Sequence, residues 1–165
     1  MKETQKERFM RLYAPVNDRF ERFCKARAYG EVDFKDLMHD SLIVAFEKIN
    51  QVKDDAAFLH FLFGTAVRIL ANKRKKNRPI YTNDFNHFAQ VPSTERSVEL
   101  TLEIENLYKQ LARLDEVTRE CIILFEISGF SIKEIMVIQK SGESAVKQRL
   151  HRGRNQLIKW MNSTE

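Results

Sequence analysis

The chain of 165 residues contains few of the residues that interrupt helices, with only five glycines and three prolines. Turns depend heavily on these two residue types, so their scarcity favours long helices. No stretch of appreciable length alternates apolar and polar residues as a half-buried strand would. The sequence therefore predicts an all-α protein, and its hydrophobic content of 43% is sufficient for a buried core.

The sequence also lacks the residue patterns on which most enzyme and metal sites depend. Its two cysteines lie far apart in apolar segments, which predicts reduced core thiols, and its four histidines form no pair with metal-ligand spacing. There is no glycine-rich phosphate loop. The carboxylates of Asp33, Asp36 and Asp40 fit the acidic start of a helix better than a metal site. We expect no catalytic activity, no metal and no other cofactor.

No apolar run approaches membrane-spanning length, and the N-terminus is too charged for a signal peptide. We therefore expect a cytoplasmic protein without a membrane partner. The net charge of +5 is modest, but its distribution is uneven. Five of the six residues 73–78 are Lys or Arg, whereas residues 31–40 are rich in Asp and Glu. This asymmetry indicates nucleic acid on one side of the protein and a different partner on the other.

Apolar residues at spacings of three and four outline two groups of helices, separated by a segment without helical periodicity. The separating segment contains Pro79 and Pro92 and is predicted to be a linker. The expected architecture is two small helical bundles, residues 1–78 and 98–162, joined by the linker 79–97. Aromatic residues in the linker, such as Tyr81 and Phe85, suggest docking on the first bundle or on a partner.

The most informative motif lies near the C-terminus. Ser131 and Glu134 have the spacing of a capping box that begins a short helix, and Ser141 and Gly142 interrupt that helix. The next helix has an apolar stripe that includes Leu150, and a polar and basic face opposite it. This is the pattern of a helix-turn-helix, whose second helix enters the major groove of DNA.

The polar face of this second helix predicts individual DNA contacts, because residues near the N-terminus of such a helix reach base edges. The predicted base-reading residues are Ser144, Lys147 and Gln148. Further DNA contacts are predicted for His151 and, at the phosphates, for Arg149, Arg152 and Arg154. The alternative is an ordinary helical hairpin with a solvated basic face.

A long helix predicted at residues 57–76 combines aromatic side chains, such as Phe58 and Phe61, with a basic end. It follows a polar loop at residues 51–56. Aromatic and basic side chains together can hold unstacked bases and the backbone of a single strand. The alternative is that most of these aromatic residues belong to the core and that the cations mark a solvated helix end.

With these motifs in place, the chain resembles the bacterial RNA polymerase sigma factors of the extracytoplasmic-function (ECF) group. Residues 36–42 read D-L-M-H-D-S-L and are followed by Ala45 and Phe46, which is similar to the D-L-x-Q-E-x-F and A-W pattern of region 2. Residues 146–154 read V-K-Q-R-L-H-R-G-R, which is similar to the region 4 pattern V-K-x-R-L-H-R-x-R. The resemblance covers nearly the whole chain.

This resemblance implies a binding protein for core RNA polymerase and promoter DNA. Region 2 would bind the clamp helices of the largest subunit and the melted minus-10 element, and region 4 the minus-35 element and the flap of the second-largest subunit. The implied core-polymerase-binding residues are Asp36, Leu37, His39 and Asp40. The implied minus-10 single-strand residues are Lys53, Asp54, Asp55, Phe61, Arg68, Asn72, Lys73, Arg74, Lys75 and Lys76. An anti-sigma factor is a further candidate partner.

The chain departs from the family pattern at several positions. Phe46 and Phe61 replace the usual tryptophans, Met136 replaces a small residue between the two helices of the motif, and Lys140 stands near a turn where glycine is usual. These departures suggest a second hypothesis, in which minus-35 reading is degenerate and another DNA-targeting partner, such as an activator, positions the protein. A stand-alone helix-turn-helix regulator is the remaining alternative, and it would not need the acidic face at residues 33–47.

Overall fold

The computed structural model describes residues 2–75 and 98–163, with the backbone alone for Arg74 and Lys75. Within these ranges the chain forms helices and turns and no strand, which confirms the all-α prediction. The predicted linker 79–97, the residue Lys76 and the side chains of Arg74 and Lys75 lie outside the described residues.

The N-terminal half contains four α-helices. They are α1 (Gln5–Tyr13), α2 (Asn17–Ala28), α3 (Phe34–Lys48) and α4 (Phe58–Lys75). A short 3-10 turn, Ala14–Val16, separates α1 from α2 because Pro15 fits the first turn of a helix and not its interior. Asp33 begins α3 as predicted, since its side chain accepts a hydrogen bond from the Lys35 amide at 2.8 Å.

The C-terminal half contains four more helices and one π-helical turn. They are α5 (Val98–Ala112), α6 (Glu116–Ile122), the turn Ile123–Ile127, α7 (Ile132–Gln139) and α8 (Glu143–Asn162). The predicted capping box at the start of α7 is present in both directions, between Ser131 and Glu134. Lys140 ends α7 in the left-handed conformation, with φ of 51°. The helix-turn-helix is therefore formed by α7 and α8.

One continuous hydrophobic cluster extends through both halves. Phe63 of α4 and Phe130, just before α7, meet edge to face with their ring centroids 4.8 Å apart. Both cysteines lie in this cluster as free thiols, as predicted, and burial raises the pKa of Cys121 to about 11. The two halves are thus packed against each other through a shared core, an arrangement that the helical patterns did not predict.

Candidate polymerase and nucleic-acid interfaces

The acidic face of α3 is an outward surface. Asp36, His39 and Asp40 are exposed, and the carboxylate of Asp40 lies 3.4 Å from the Lys73 ammonium group. Leu37 is fully buried, because one residue along a helix turns the side chain by about 100° and carries it to the face that packs on neighbouring helices. The structure therefore places Leu37 in the core, and this corrects the prediction that Leu37 contacts a partner directly.

Two apolar side chains interrupt this acidic face. Ile43 is 45% exposed, and Phe46 is 37% exposed. The Phe46 ring rests edge-on against Phe9 of α1, with a centroid distance of 5.5 Å. The surface thus has apolar side chains beside carboxylates, the combination found at protein–protein interfaces with a charged rim.

The loop before α4 is held in place by its carboxylates. Asp54 accepts a hydrogen bond from the Ala56 amide at 3.1 Å and caps a short 3-10 turn. Asp55 accepts from the guanidinium groups of Arg8 and Arg11 of α1, at 3.1 and 3.0 Å. Lys53 is exposed at the start of the loop. The backbone of the loop is therefore fixed. Of its three residues predicted to contact DNA, Asp54 and Asp55 also make hydrogen bonds that stabilise the fold.

The predicted single-strand residues of α4 share one side of the helix. Phe61, Arg68 and Asn72 fall within about 40° of its circumference, given 100° per residue. Phe61 is half-buried, whereas Arg68 and Asn72 are exposed. Lys73 points to a different side, toward Asp40 of α3. A half-buried ring flanked by a cation and an amide is suited to stack a base and to contact the strand that carries it.

The outer side of α8 carries the polar residues predicted to meet DNA. Val146 and Leu150 are buried against the rest of the C-terminal half, and the opposite side is open to solvent. The predicted residues exposed on α8 are Ser144, Lys147, Gln148, His151, Arg152 and Arg154. Four of them, Lys147, Gln148, His151 and Arg152, line a shallow concavity. The separation of the two faces follows from the helical period and matches the prediction.

The three arginines of α8 also have partners within the protein. Arg149 donates to the Gln139 side chain at 3.0 Å and to the Ser141 hydroxyl at 2.9 Å, so it ties the turn between α7 and α8 to the second helix. Arg152 donates to Thr118 at 3.2 Å, and Arg154 donates to Glu126. The role of Arg149 in the turn was missed, because its sequence position suits a phosphate contact equally well.

A glycine inside α8 sets how closely this helix approaches α6. A Cβ atom at Gly153 would lie 2.8 Å from Ile122 and 2.9 Å from Thr118, closer than real Cβ contacts allow. The family pattern had instead indicated Met136 as the residue that limits how closely the helices of the motif approach. The available signal was that Gly153 lies in the middle of a long helix, where glycine is unfavourable unless packing requires it.

Comparisons with known proteins indicate the family to which this chain is similar. The family model for Sigma-70, region 4 matches residues 104–157, which contain α6, α7 and most of α8. The chain is 28% identical over 149 residues to the RNA polymerase sigma factor NccH of Alcaligenes xylosoxydans xylosoxydans, covering 85% of this chain and 80% of the relative. It is 25% identical over 176 residues to the ECF RNA polymerase sigma factor SigW of Bacillus subtilis (strain 168), covering 96% and 91%. The chain is therefore similar to the ECF sigma factors over most of its length.

A solved structure has the same fold as this chain. The structure of CnrH in complex with the cytosolic domain of CnrY superposes on 98% of this chain and 92% of that chain, with a TM-score of 0.71 and 21% sequence identity. Sigma factors direct promoter recognition and transcription initiation by RNA polymerase, and the region 4 match and the relatives indicate this function for the chain. The family consists of transcription initiation factors without enzymatic activity of their own.

Two kinds of feature are absent from the described residues. Across residues 2–75 and 98–163, no three His, Cys, Asp or Glu side chains are grouped so that they could hold a metal ion. In the same part of the chain, no helix is both long and apolar enough to span a bilayer.

The link between Asp55 and α1 predicts a pH effect. Hydrogen bonds from Arg11 and Arg8 lower the pKa of the Asp55 carboxyl from its ordinary value of 3.8. Because the folded pKa is depressed, the stabilisation is present above the unfolded value and is lost as the pH falls through the folded value. We expect an NMR titration of this carboxyl to give a midpoint below 3.8, and Arg11→Gln to raise it. A midpoint at or above 3.8 in the unaltered chain would contradict the link.

Proposed function

We propose that the two halves of this sigma factor divide its work between core polymerase and the two promoter elements. The observation that carries this proposal is the arrangement of α8, whose base-reading candidates are exposed while Val146 and Leu150 anchor the helix. In a helix-turn-helix, this orientation places the N-terminal residues of the second helix in the major groove. The C-terminal half would thus read the minus-35 element, and the N-terminal half would hold core polymerase and the minus-10 strand.

The face of α3 is the proposed contact with the clamp helices of the largest polymerase subunit. Asp36, His39 and Asp40 supply its polar part, and Ile43 and Phe46 supply exposed apolar area. Interfaces of this kind gain affinity from buried apolar side chains and gain specificity and association rate from charge. A contact of the C-terminal half with the flap of the second-largest subunit is part of the same proposal. The chain itself has no proposed catalytic activity.

We expect the double substitution Asp36→Asn/Asp40→Asn to weaken capture of core polymerase by about tenfold or more, because it removes two charges from the proposed interface while preserving side-chain shape. The measurement is a pull-down of purified core polymerase over a range of chain concentrations. Glu99→Gln/Glu103→Gln is the matched control, since it makes the same change of charge on the exposed side of α5. Equal capture by both variants would contradict the assignment and favour a stand-alone regulator.

The promoter contacts are proposed in two groups. In the N-terminal half, Phe61, Arg68 and Asn72 would hold the unpaired minus-10 strand beside the loop at residues 53–55. In the C-terminal half, Ser144, Lys147 and Gln148 would reach base edges of the minus-35 element. Arg152 is exposed and would contact phosphates, despite its hydrogen bond to Thr118. Phosphate contacts position the protein, and base contacts distinguish sequences.

We expect Gln148→Ala to cost about 1–3 kcal/mol of binding at one position of the minus-35 element and little elsewhere, because a lost base contact affects only the base it reads. Binding to a set of single-base variants of the element measures this. Arg152→Gln is the comparison, and it should weaken binding to all sequences alike and reduce the salt slope by about one. A sequence-selective loss from Arg152→Gln would reverse the two assignments.

A second candidate is a sigma factor whose minus-35 reading is degenerate and depends on another DNA-targeting partner. The observation that favours it is that Arg149 is bound to Gln139 and Ser141, which leaves fewer free cations near the reading end of α8. Transcription with core polymerase and this chain alone separates the two candidates, because sharp initiation at one promoter would exclude the second. A regulatory protein remains a further proposed partner, since the structurally similar CnrH was solved in complex with CnrY.

A further inference from the structure

The N-terminal end of α8, which carries the proposed base-reading residues, begins without a side-chain cap. Gly142 is the N-cap residue of this helix and has no side chain that could accept a hydrogen bond from the first backbone amides. Just before it, Lys140 has a φ of 51°, in the left-handed region that costs energy for residues other than glycine. Contacts outside the usual helix cap must therefore fix where α8 begins.

Gln139, the last residue of α7, makes three side-chain hydrogen bonds in this region. Its amide nitrogen donates to the backbone oxygen of Val117 and to the carboxylate of Glu120, both at 3.1 Å. Its amide oxygen accepts from the guanidinium of Arg149 at 3.0 Å. The partners set this orientation of the amide, since the carbonyl and the carboxylate only accept and the guanidinium only donates. One side chain thus connects α6 to α8.

Arg149 extends these contacts into the turn. Its guanidinium donates to the Ser141 hydroxyl at 2.9 Å, and that hydroxyl donates to the backbone oxygen of Gln139 at 3.1 Å. Gln139, Ser141 and Arg149 are half-buried, and Glu120 is buried. We call the side chains of Glu120, Gln139, Ser141 and Arg149 the turn network. Because these groups are partly shielded from water, their hydrogen bonds hold the turn more firmly than exposed ones would.

The turn network lies entirely within the C-terminal half. Arg27 of α2 also contacts Glu120, but it donates to the other carboxylate oxygen, at 3.1 Å. Gln139 and Arg27 therefore do not compete for one acceptor, and the hydrogen bond from Gln139 needs no residue of the N-terminal half. Glu120 is thus a fixed acceptor on α6 for the end of α7.

We propose that Gln139 is a positioning residue for minus-35 recognition: it sets the position of the N-terminal end of α8 through Arg149 and Ser141, without touching DNA itself. This inference rests on the proposed function, in which that end of α8 reads base edges. Base readout depends on hydrogen-bond geometry, so a displacement of about 1 Å is enough to lose it. Phosphate contacts carry no sequence information, so their survival gives affinity without selectivity.

The test compares two variants of the full chain. Gln139→Met keeps an unbranched side chain and removes all three hydrogen bonds. Glu120→Gln/Gln139→Glu, the exchange variant, swaps donor and acceptor: the amide at position 120 donates to the carboxylate at position 139, which still accepts from Arg149. The control is Gln156→Met, which makes the first substitution at an exposed position of α8. Circular dichroism verifies that every variant keeps its helices.

Each chain is assayed as holoenzyme with purified core polymerase, at a promoter found by mapping start sites with the unaltered chain. Binding is measured to that promoter and to single-base variants of its minus-35 and minus-10 elements. The ratio of the affinities for the original and the variant promoter is the discrimination at that element. The minus-10 element serves as an internal reference, because its proposed contacts lie in the N-terminal half.

We expect Gln139→Met to reduce discrimination at the minus-35 element by about tenfold, within the range that one base contact contributes. Discrimination at the minus-10 element should not change. The exchange variant and Gln156→Met should keep both ratios. A loss of folding stability alone would not produce this pattern, since a smaller competent fraction weakens binding to every promoter by the same factor and leaves the ratios unchanged.

Three results overturn the positioning role. They are unchanged minus-35 discrimination in Gln139→Met, equal losses at both elements, and an exchange variant that discriminates as poorly as Gln139→Met. The last result would show that the hydrogen bond between positions 120 and 139 is not what holds α8. The proposed function fails in a different way: the unaltered holoenzyme would initiate transcription without any discrimination at the minus-35 element. That failure is visible before any variant is made, and the positioning role fails with it.

Discussion

The Leu37→Ala variant is expected to lose about 2–5 kcal/mol of unfolding free energy, the usual range for a large-to-small change at a buried leucine. The Leu37 side chain has no exposed surface and lies in the cluster that α3 shares with its neighbours. Since domains are stable by only about 5–15 kcal/mol, a change of this size is close to unfolding the protein. Urea denaturation followed by circular dichroism measures the loss.

Ile43→Ala is the matched control for this prediction, because Ile43 is on the same helix and is 45% exposed. It should change stability by less than about 1 kcal/mol, yet it should weaken polymerase capture if the face of α3 is the interface. Leu37→Ala should therefore mainly lower stability, whereas Ile43→Ala should mainly weaken polymerase capture. A stable Leu37→Ala protein that no longer captures polymerase would restore the direct contact that the family resemblance implied.

The Gly153→Ala variant is expected to lose stability although alanine is the better helix former. Its Cβ would lie 2.8–3.0 Å from atoms of Ile122 and Thr118, so α8 would have to move away from α6. Overpacking of this kind costs about 1–3 kcal/mol, and the displacement would also shift the residues proposed to read bases. Thermal denaturation and binding to minus-35 duplex DNA measure the two effects, and both should decline.

Gly64→Ala makes the same substitution in α4 and should have the opposite effect. A Cβ there would meet only the flexible end of Arg68, at 3.4 Å. We expect a gain of about 0.5–1 kcal/mol, because alanine loses less backbone entropy in a helix than glycine does. If both substitutions shift the melting temperature in the same direction, the close approach of α6 and α8 is not the reason that a glycine is needed at position 153.

The local structure of this protein follows closely from its sequence. Asp33 and the Ser131–Glu134 pair begin their helices as predicted, because a capping side chain interacts with backbone amides only two or three residues away. The two faces of α8 were also predictable, since the helical period places Val146 and Leu150 together whatever surrounds the helix. The family model for region 4 matches residues 104–157, within the half to which the resemblance assigned that region.

Contacts between residues distant in sequence were not predictable in the same way. Leu37 is fully buried although the resemblance implies a partner contact, and Phe46 is 37% exposed, because the burial of a residue at the edge of a helical stripe depends on where the neighbouring helices lie. Arg149 and Arg154 are cations in a DNA-binding pattern, and only the folded chain shows that Gln139, Ser141 and Glu126 are within reach.

The sequence alone determined that this chain is a set of amphipathic helices, with a basic outer face on α8 and an acidic outer face on α3, because caps, helical period and charge are local properties. The tertiary structure alone decided that the two halves share one core and that Arg27 is satisfied by Glu116 and Glu120, about ninety residues away. A cation on a helix is ordinarily solvated, and only the folded chain shows that Arg27 is buried against the other half.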